Sequence, residues 1–214
     1  MSDPHATAPV FEDPAGTWNR RFSAPGYLFG TEPNPWLHEH ATLWEAGQRV
    51  LCVADGEGRN SVFLAQQGLT VDAFDISEVG VRKARDFARI TGVKVNFAVA
   101  DIAQLQWPKG LYDGVVAIFI QFADPVLRAR IFEGMVRSLK PGGLLVLQGY
   151  TPKQLDYRTG GPPFAAHMYT EPLLREAFTG MEIVDLREYE TELAEGTGHR
   201  GHSAVIGLVA RKPA

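Results

Sequence analysis

Cysteine is nearly absent. Cys52 is the only one in 214 residues, so no internal disulfide can form and no cysteine-rich metal site can be built. It sits in an apolar run, where cysteine acts as a small buried hydrophobe. Long apolar runs are missing as well, with no stretch near the ~18 residues of a membrane-spanning helix. The opening MSDPHATAPVFEDPAG lacks the basic-then-apolar order of a secretion signal. No excess of positive charge exists either: the net charge is −4, with both signs scattered. A nucleic-acid partner would leave a basic patch, so none is expected. Internal repeats are lacking, and low complexity is confined to the N-terminal tail. A cytoplasmic protein with no membrane or nucleic-acid partner is the expectation, as a monomer or homodimer.

What is present is alternation. The apolar content, 45%, suffices for one packed α/β domain. RVLCVA (49–54), TVDAFD (70–75), KVNFAVA (94–100), YDGVVAIFI (112–120) and GGLLVLQGY (142–150) read as buried strands. Helical spacing fills 60–67, 78–92, 125–139 and 171–178. Two final strands, 182–190 and 202–212, have no helix between them and should pair as an antiparallel hairpin on the sheet edge. The pattern predicts a mostly parallel sheet covered by helices on both faces. The expected organisation is a disordered tail (1–15), an N-terminal lid segment (16–44) and a single domain (45–214).

In such a sheet ligands sit at the carboxyl ends of the strands. The first three predicted strands end in ADGEG (54–58), DIS (75–77) and AD (100–101). Gly56 and Gly58 permit a tight turn with close backbone approach. Asp75 can accept from both hydroxyls of a ribose, and Asp101 from an exocyclic amine such as that of adenine. A dinucleotide loop would read G-x-G-x-x-G, but Ser61 stands at the third glycine and Glu57 lies inside the loop. A carboxylate is unfavourable beside a diphosphate. It suits a ligand with an ammonium and a positive sulfur, and S-adenosylmethionine is such a ligand. A nicotinamide-dependent oxidoreductase is the rival from another class, and a non-catalytic cofactor-binding module a further one.

These segments resemble those of the class I S-adenosylmethionine-dependent methyltransferases. VLCVADGEGRNSVFLA is similar to that family's first glycine motif, VDAFDIS to its ribose-binding strand end and VAD to its adenine segment. LYDGVVAIF resembles the fourth strand and LKPGGLLVL the approach to the fifth. GTEPNPWL is similar to a segment of the small bacterial tellurite-resistance branch. The resemblance implies a Rossmann-like three-layer sandwich with a seven-stranded sheet of order 3-2-1-4-5-7-6, strand 7 antiparallel. It implies cofactor contacts from Ala54, Asp55, Gly56, Glu57, Gly58, Asn60, Asp75, Ile76, Ser77, Asp101 and Ile102, with Phe119 to Gln121 near the methionine end. S-adenosylhomocysteine would be the product. The family usually has an acid at Cys52 and a glycine at Ala54, so Asp55 or Glu57 would have to supply the missing carboxylate.

Methyl transfer is an in-line displacement, and alignment with exclusion of water supplies most of the catalysis. An oxygen or nitrogen acceptor needs a general base; a thiolate or chalcogen oxyanion does not. The branch resemblance points to a small soft acceptor, a thiol or chalcogen oxyanion. Three segments supply candidates. Tyr27 and Phe29 either cover the site or only pack the N-terminal segment. The long loop 150–163 brings Tyr157 and Tyr150, with Gln148 just before it. EGTGHRGH (195–202) either brings His199 or His202 as a base and Arg200 as an anion holder, or is a solvated hairpin turn. No third ligand accompanies the two histidines, so no metal is expected.

Overall fold

The computed structural model describes residues 13–214. The expected tail lies outside those residues up to position 12, but positions 14 and 15 already belong to a helix. That helix, α1 (Pro14–Phe22), is capped by the Asp13 carboxylate, which accepts from the Gly16 N–H at 2.8 Å. Next comes α2 (Pro35–His40), capped by Asn34, and a 3-10 turn at Ala41–Leu43. The alternating part is β1 (Arg49–Val53), α3 (Arg59–Gln66), β2 (Thr70–Asp75), α4 (Glu78–Thr91), β3 (Asn96–Val99), β4 (Tyr112–Ile118), α5 (Pro125–Ser138) and β5 (Leu139–Tyr150). The short α6 (Gln154–Tyr157), a 3-10 turn (Ala165–His167), α7 (Glu171–Ala177), β6 (Glu182–Glu195) and β7 (His199–Arg211) complete it.

The seven strands run in the order β3-β2-β1-β4-β5-β7-β6, and β7 is antiparallel to both neighbours. The fold is therefore the expected Rossmann-like α/β sandwich. Side chains alternate between two cores, as the two-residue period of a strand requires. Leu51, Val53, Val115, Ala117, Leu145 and Leu147 face the core that holds Ile131, Phe132 and Met135 of α5. Val50, Cys52, Val116, Leu144 and Val146 face the other, with Trp36 and Leu37 of α2 and Leu64 of α3. Cys52 is 1% exposed, a packing residue as expected. Gly207 of β7 admits Trp36: a Cβ there would lie 2.4 Å from the indole. The N-terminal segment is thus built into the domain.

Two expectations change. The first of the final strands ends later and the second begins earlier than predicted, so residues 191–195 and 199–201 are also strand and only 196–198 form the turn. The loop after β5 is not structureless, since it holds α6 and the second 3-10 turn. Among the described residues, no helix is long and apolar enough to cross a membrane.

Candidate active site

β1 and β4 are each followed directly by a strained residue. Ala54 has φ 49° and Phe119 has φ 55°, the left-handed region that side chains with a Cβ rarely adopt. The turn after β1 then folds tightly. Asp55 N–H donates to the Phe74 carbonyl at 3.0 Å, and Gly56 (φ 62°) leaves room for the Phe22 ring 3.2 Å from where its Cβ would stand. Over these ends lies a cavity of about 300 Å³. Its wall includes Ala54, Asp55, Gly56, Arg59, Asn60, Asp75, Ile76, Asp101, Ile102, Phe119, His167 and His199, with Trp18, Phe22 and Phe29 from the N-terminal segment. Phe29 thus reaches the cavity.

The acids at the strand ends are organised by backbone amides. Asp75 accepts from Gly56 N–H at 2.9 Å through one oxygen and from Ser77 N–H at 2.8 Å through the other. It ties the glycine turn to β2 and keeps further lone pairs for a ligand. Burial raises its pKa, against the pull of those amides. Asp55 lies one turn away and accepts from the Ser61 hydroxyl. Burial pushes its carboxyl up to about 7, opposed by the Ser61 hydrogen bond and reinforced by the charge of Asp75. Asp101 accepts from Ala103 N–H at 2.9 Å, which anchors the turn after β3.

Several expected contacts lie elsewhere. Glu57 is 4% exposed but does not line the cavity; it accepts from the Leu28 N–H at 2.6 Å and pairs with Lys83 at 2.5 Å. The carboxylate read as a partner for the ammonium instead fastens the N-terminal segment. Gly58 (φ 92°) starts α3, and a Cβ there would come within 2.8 Å of Ala84, so it serves helix packing. Ser77 caps α4 and donates to Asn19 at 2.6 Å. Tyr27 packs against Phe87 and under Lys83, outside the cavity. The Gln121 amide is consumed by the backbone of Tyr150 and the His167 carbonyl.

The acceptor-side candidates divide in the same way. Tyr157 and His202 are surface residues that share the Glu190 carboxylate. Arg200 is exposed on β7, opposite Ala194. Gln148 accepts from Asn34 at 2.6 Å and donates to the Tyr189 hydroxyl at 2.6 Å, so its amide is spent within the protein. Tyr150 is buried. Its ring stands 4.6 Å from that of Phe119, and its hydroxyl has no hydrogen-bond partner among the described residues. Of this set only His199 lines the cavity.

His199 belongs to a buried network that sequence reasoning did not assemble. Glu195 stands opposite it across the hairpin and accepts from its Nδ1–H at 3.1 Å. Arg59 donates to the same carboxylate at 2.9 Å, and Asn34 at 2.7 Å. Burial works against the Glu195 carboxylate, but the His199 hydrogen bond and the Arg59 charge outweigh it and hold its pKa at about 2. Burial lowers the pKa of His199, with Glu195 pulling the other way. Arg59 Nη1 and His167 Nε2 are buried on residues that line the cavity, without hydrogen-bond partners among the described residues. Arg59 was legible as the residue directly after the glycine turn. Glu195 was not, because its partner is set by hairpin register. Trp18 and Phe22 were hidden in the segment whose helix went unpredicted.

Residues 50–143 match the family described as a methyltransferase domain. The ubiquinone biosynthesis O-methyltransferase of Rickettsia canadensis is 26% identical over 162 residues, 68% of this chain and 67% of that protein. Three further relatives are matched over only 33–46% of their own length. The N-methyltransferase NodS of Bradyrhizobium japonicum, in complex with S-adenosylhomocysteine, superposes with a TM-score of 0.70 at 16% identity, over 94% of this chain and 98% of that one. TehB of Haemophilus influenzae superposes with a TM-score of 0.68 at 23% identity, over 82% of this chain and 61% of that one. The chain thus carries a match to a methyltransferase domain over residues 50–143, set in the fold that these structures share.

Proposed function

We propose that the enzyme methylates a small molecule held beside His199, with S-adenosylmethionine lying across the ends of β1, β2 and β3. One observation carries the assignment of the cofactor's parts. The cavity joins three strand-end carboxylates to a buried guanidinium nitrogen that has no hydrogen-bond partner among the described residues. The residues present fit the cofactor. Asp75 receives the ribose hydroxyls and Asp101 the adenine amine, with Ile76 and Ile102 beside the ring. Asp55 faces the ammonium, and Arg59 Nη1 faces the carboxylate of the same amino-acid end. Glu57 drops out of the cofactor set because Lys83 and Leu28 hold it.

Bound S-adenosylmethionine supplies a methyl carbon made electrophilic by positive sulfur. The protein's own part is to orient and to exclude water. Trp18, Phe22 and Phe29 wall the cavity, and the hairpin tip closes against the same segment through Thr197 and Gly198 N–H donating to the Leu28 carbonyl, both at 2.9 Å. An enclosed site of this size favours a small acceptor. The ubiquinone-type relative supports a hydroxyl acceptor. The resemblance to the tellurite-resistance branch, with TehB among the similar folds, supports a soft chalcogen acceptor.

Isothermal calorimetry with S-adenosylmethionine, S-adenosylhomocysteine and NADH tests the cofactor geometry. Binding of the two sulfur cofactors, weakened in Asp75→Ala and Arg59→Met, is the expected result. Unchanged affinity in both variants would overturn the residue assignments.

A further inference from the structure

We infer that the acceptor presents an ionisable O–H or N–H group, that His199 Nε2 removes its proton during methyl transfer, and that Glu195 is the positioning residue for that base. The inference rests on the methyltransferase reading above and adds the acceptor's chemical class.

The tautomer is set by the hydrogen bond. His199 Nδ1 is committed to Glu195, so the neutral ring carries its lone pair on Nε2. The ring plane is also fixed. It packs against Phe29 at 4.3 Å and Phe119 at 4.4 Å between centroids, and Phe119 is the residue held in a strained backbone conformation directly after β4. A charged pair buried beside an apolar cavity is costly unless well satisfied. Here Glu195 is satisfied by Arg59 and Asn34, so it remains a carboxylate when His199 accepts a proton. A thiolate or chalcogen oxyanion would need no such group.

The charged and titratable groups around His199 come from four elements. Glu195 on β6 favours its protonated form, while Arg59 on α3 and Arg21 on α1 oppose it. Tyr150 on β5 meets the ring edge-on at 5.8 Å. Burial of the ring and the two arginines keep the imidazole neutral and ready to accept. His167 also lines the cavity, but its Nδ1–H donates to the Gln121 carbonyl at 3.2 Å. No carboxylate backs it among its described hydrogen bonds, so it is suited to accept a hydrogen bond rather than to hold a proton.

The step balances without a further reactant. The acceptor's O–H or N–H bond breaks and the proton passes to His199 Nε2. The freed electron pair bonds to the methyl carbon as the carbon–sulfur bond breaks, and that pair stays on sulfur. The imidazolium, paired with Glu195, then releases its proton to water.

Two measurements test the inference. The first is nitrogen NMR of histidine-labelled protein, cofactor-free and with S-adenosylhomocysteine. A neutral His199 at pH 7, protonated on Nδ1 in both states, is expected. An imidazolium at pH 7, or the Nε2–H tautomer, overturns it. The second is transfer of labelled methyl to phenols and anilines, with thiophenols for comparison, in wild type, His199→Asn and Glu195→Gln. The expected loss in kcat for hydroxyl or amino acceptors is about 100-fold or more in His199→Asn, the scale of general-base catalysis. Glu195→Gln should lose less and move the rise of the pH–rate profile. Wild-type rates on these acceptors in His199→Asn, or methylation of the thiols alone, overturn it. If no probe is turned over, the NMR result decides. Failure of the wild type to bind S-adenosylhomocysteine in calorimetry would instead sink the cofactor geometry beneath it.

Discussion

Arg59 and His199 share one oxygen of Glu195, the guanidinium at 2.9 Å and the imidazole at 3.1 Å. One residue opens α3 beside the glycine turn, and the other opens β7 at the hairpin tip. Through Glu195 the proposed cofactor end and the proposed acceptor end become one electrostatic unit.

Removing the shared charge should be costly. Glu195→Gln leaves Arg59 buried without its counter-charge, a loss of roughly 3–5 kcal/mol. At roughly 2–4 °C per kcal/mol for a chain of this size, thermal melting should fall by about 10 °C. The pH dependence has a defined sign. Glu195 is held at about 2 against an ordinary 4.5, so its stabilisation is present above 4.5 and lost as pH falls towards 2. The variant's melting temperature should therefore fall less steeply than the wild type's across that window.

Asp55 has the opposite sign. Its pKa is raised to about 7 from 3.8, so its contribution is present below 3.8 and lost as pH rises through 7. In the cofactor-free protein, Asp55→Asn should flatten stability across that window. If Asp55 receives the ammonium, wild-type affinity for S-adenosylmethionine should weaken by about tenfold per pH unit below 7. Calorimetry from pH 5.5 to 8 would read this slope, and a flat wild-type profile would contradict the assignment.

Asp75→Ala should weaken cofactor binding by roughly 1–3 kcal/mol, the scale of hydrogen bonds lost from a charged group. It also removes the acceptor for the Gly56 and Ser77 amides. Asp75→Asn keeps one acceptor oxygen, so a smaller loss in that variant would separate ligand contact from turn geometry.

Ala54 offers a stabilising change. A left-handed conformation costs an L-residue about 1–2 kcal/mol, and glycine returns part of that gain through the freer unfolded chain. Ala54→Gly should raise stability by roughly 0.5–1 kcal/mol, seen as a melting temperature a few degrees higher. No gain would mean that the methyl group's packing beside the cavity offsets the strain.

Lys83 fastens the N-terminal segment. Its ammonium donates to the carbonyls of Phe22 and Ala24 as well as to Glu57. Lys83→Met should speed proteolytic cleavage between residues 14 and 30 and lower cofactor affinity, because Trp18, Phe22 and Phe29 lose their hold over the cavity. Cleavage at the wild-type rate would show that packing alone secures the segment.

The sequence by itself determined the sheet and its ligand edge. Strand periodicity and apolar runs on β1, β4 and β5 are local signals, because a strand buried on both faces must be apolar throughout. The acids at successive strand ends were legible for the same reason: parallel topology brings those ends together whatever else the chain does. The tertiary structure decided which polar residues face the cavity. Glu57 and Arg59 stand two positions apart in one turn, yet one is turned to Lys83 and the other to the cavity wall. Glu195 met His199 only through hairpin register, and His202, on the same strand, was carried out to solvent. Residue type and spacing along the chain do not encode such differences. They follow from which neighbours, distant in sequence, satisfy each buried charge.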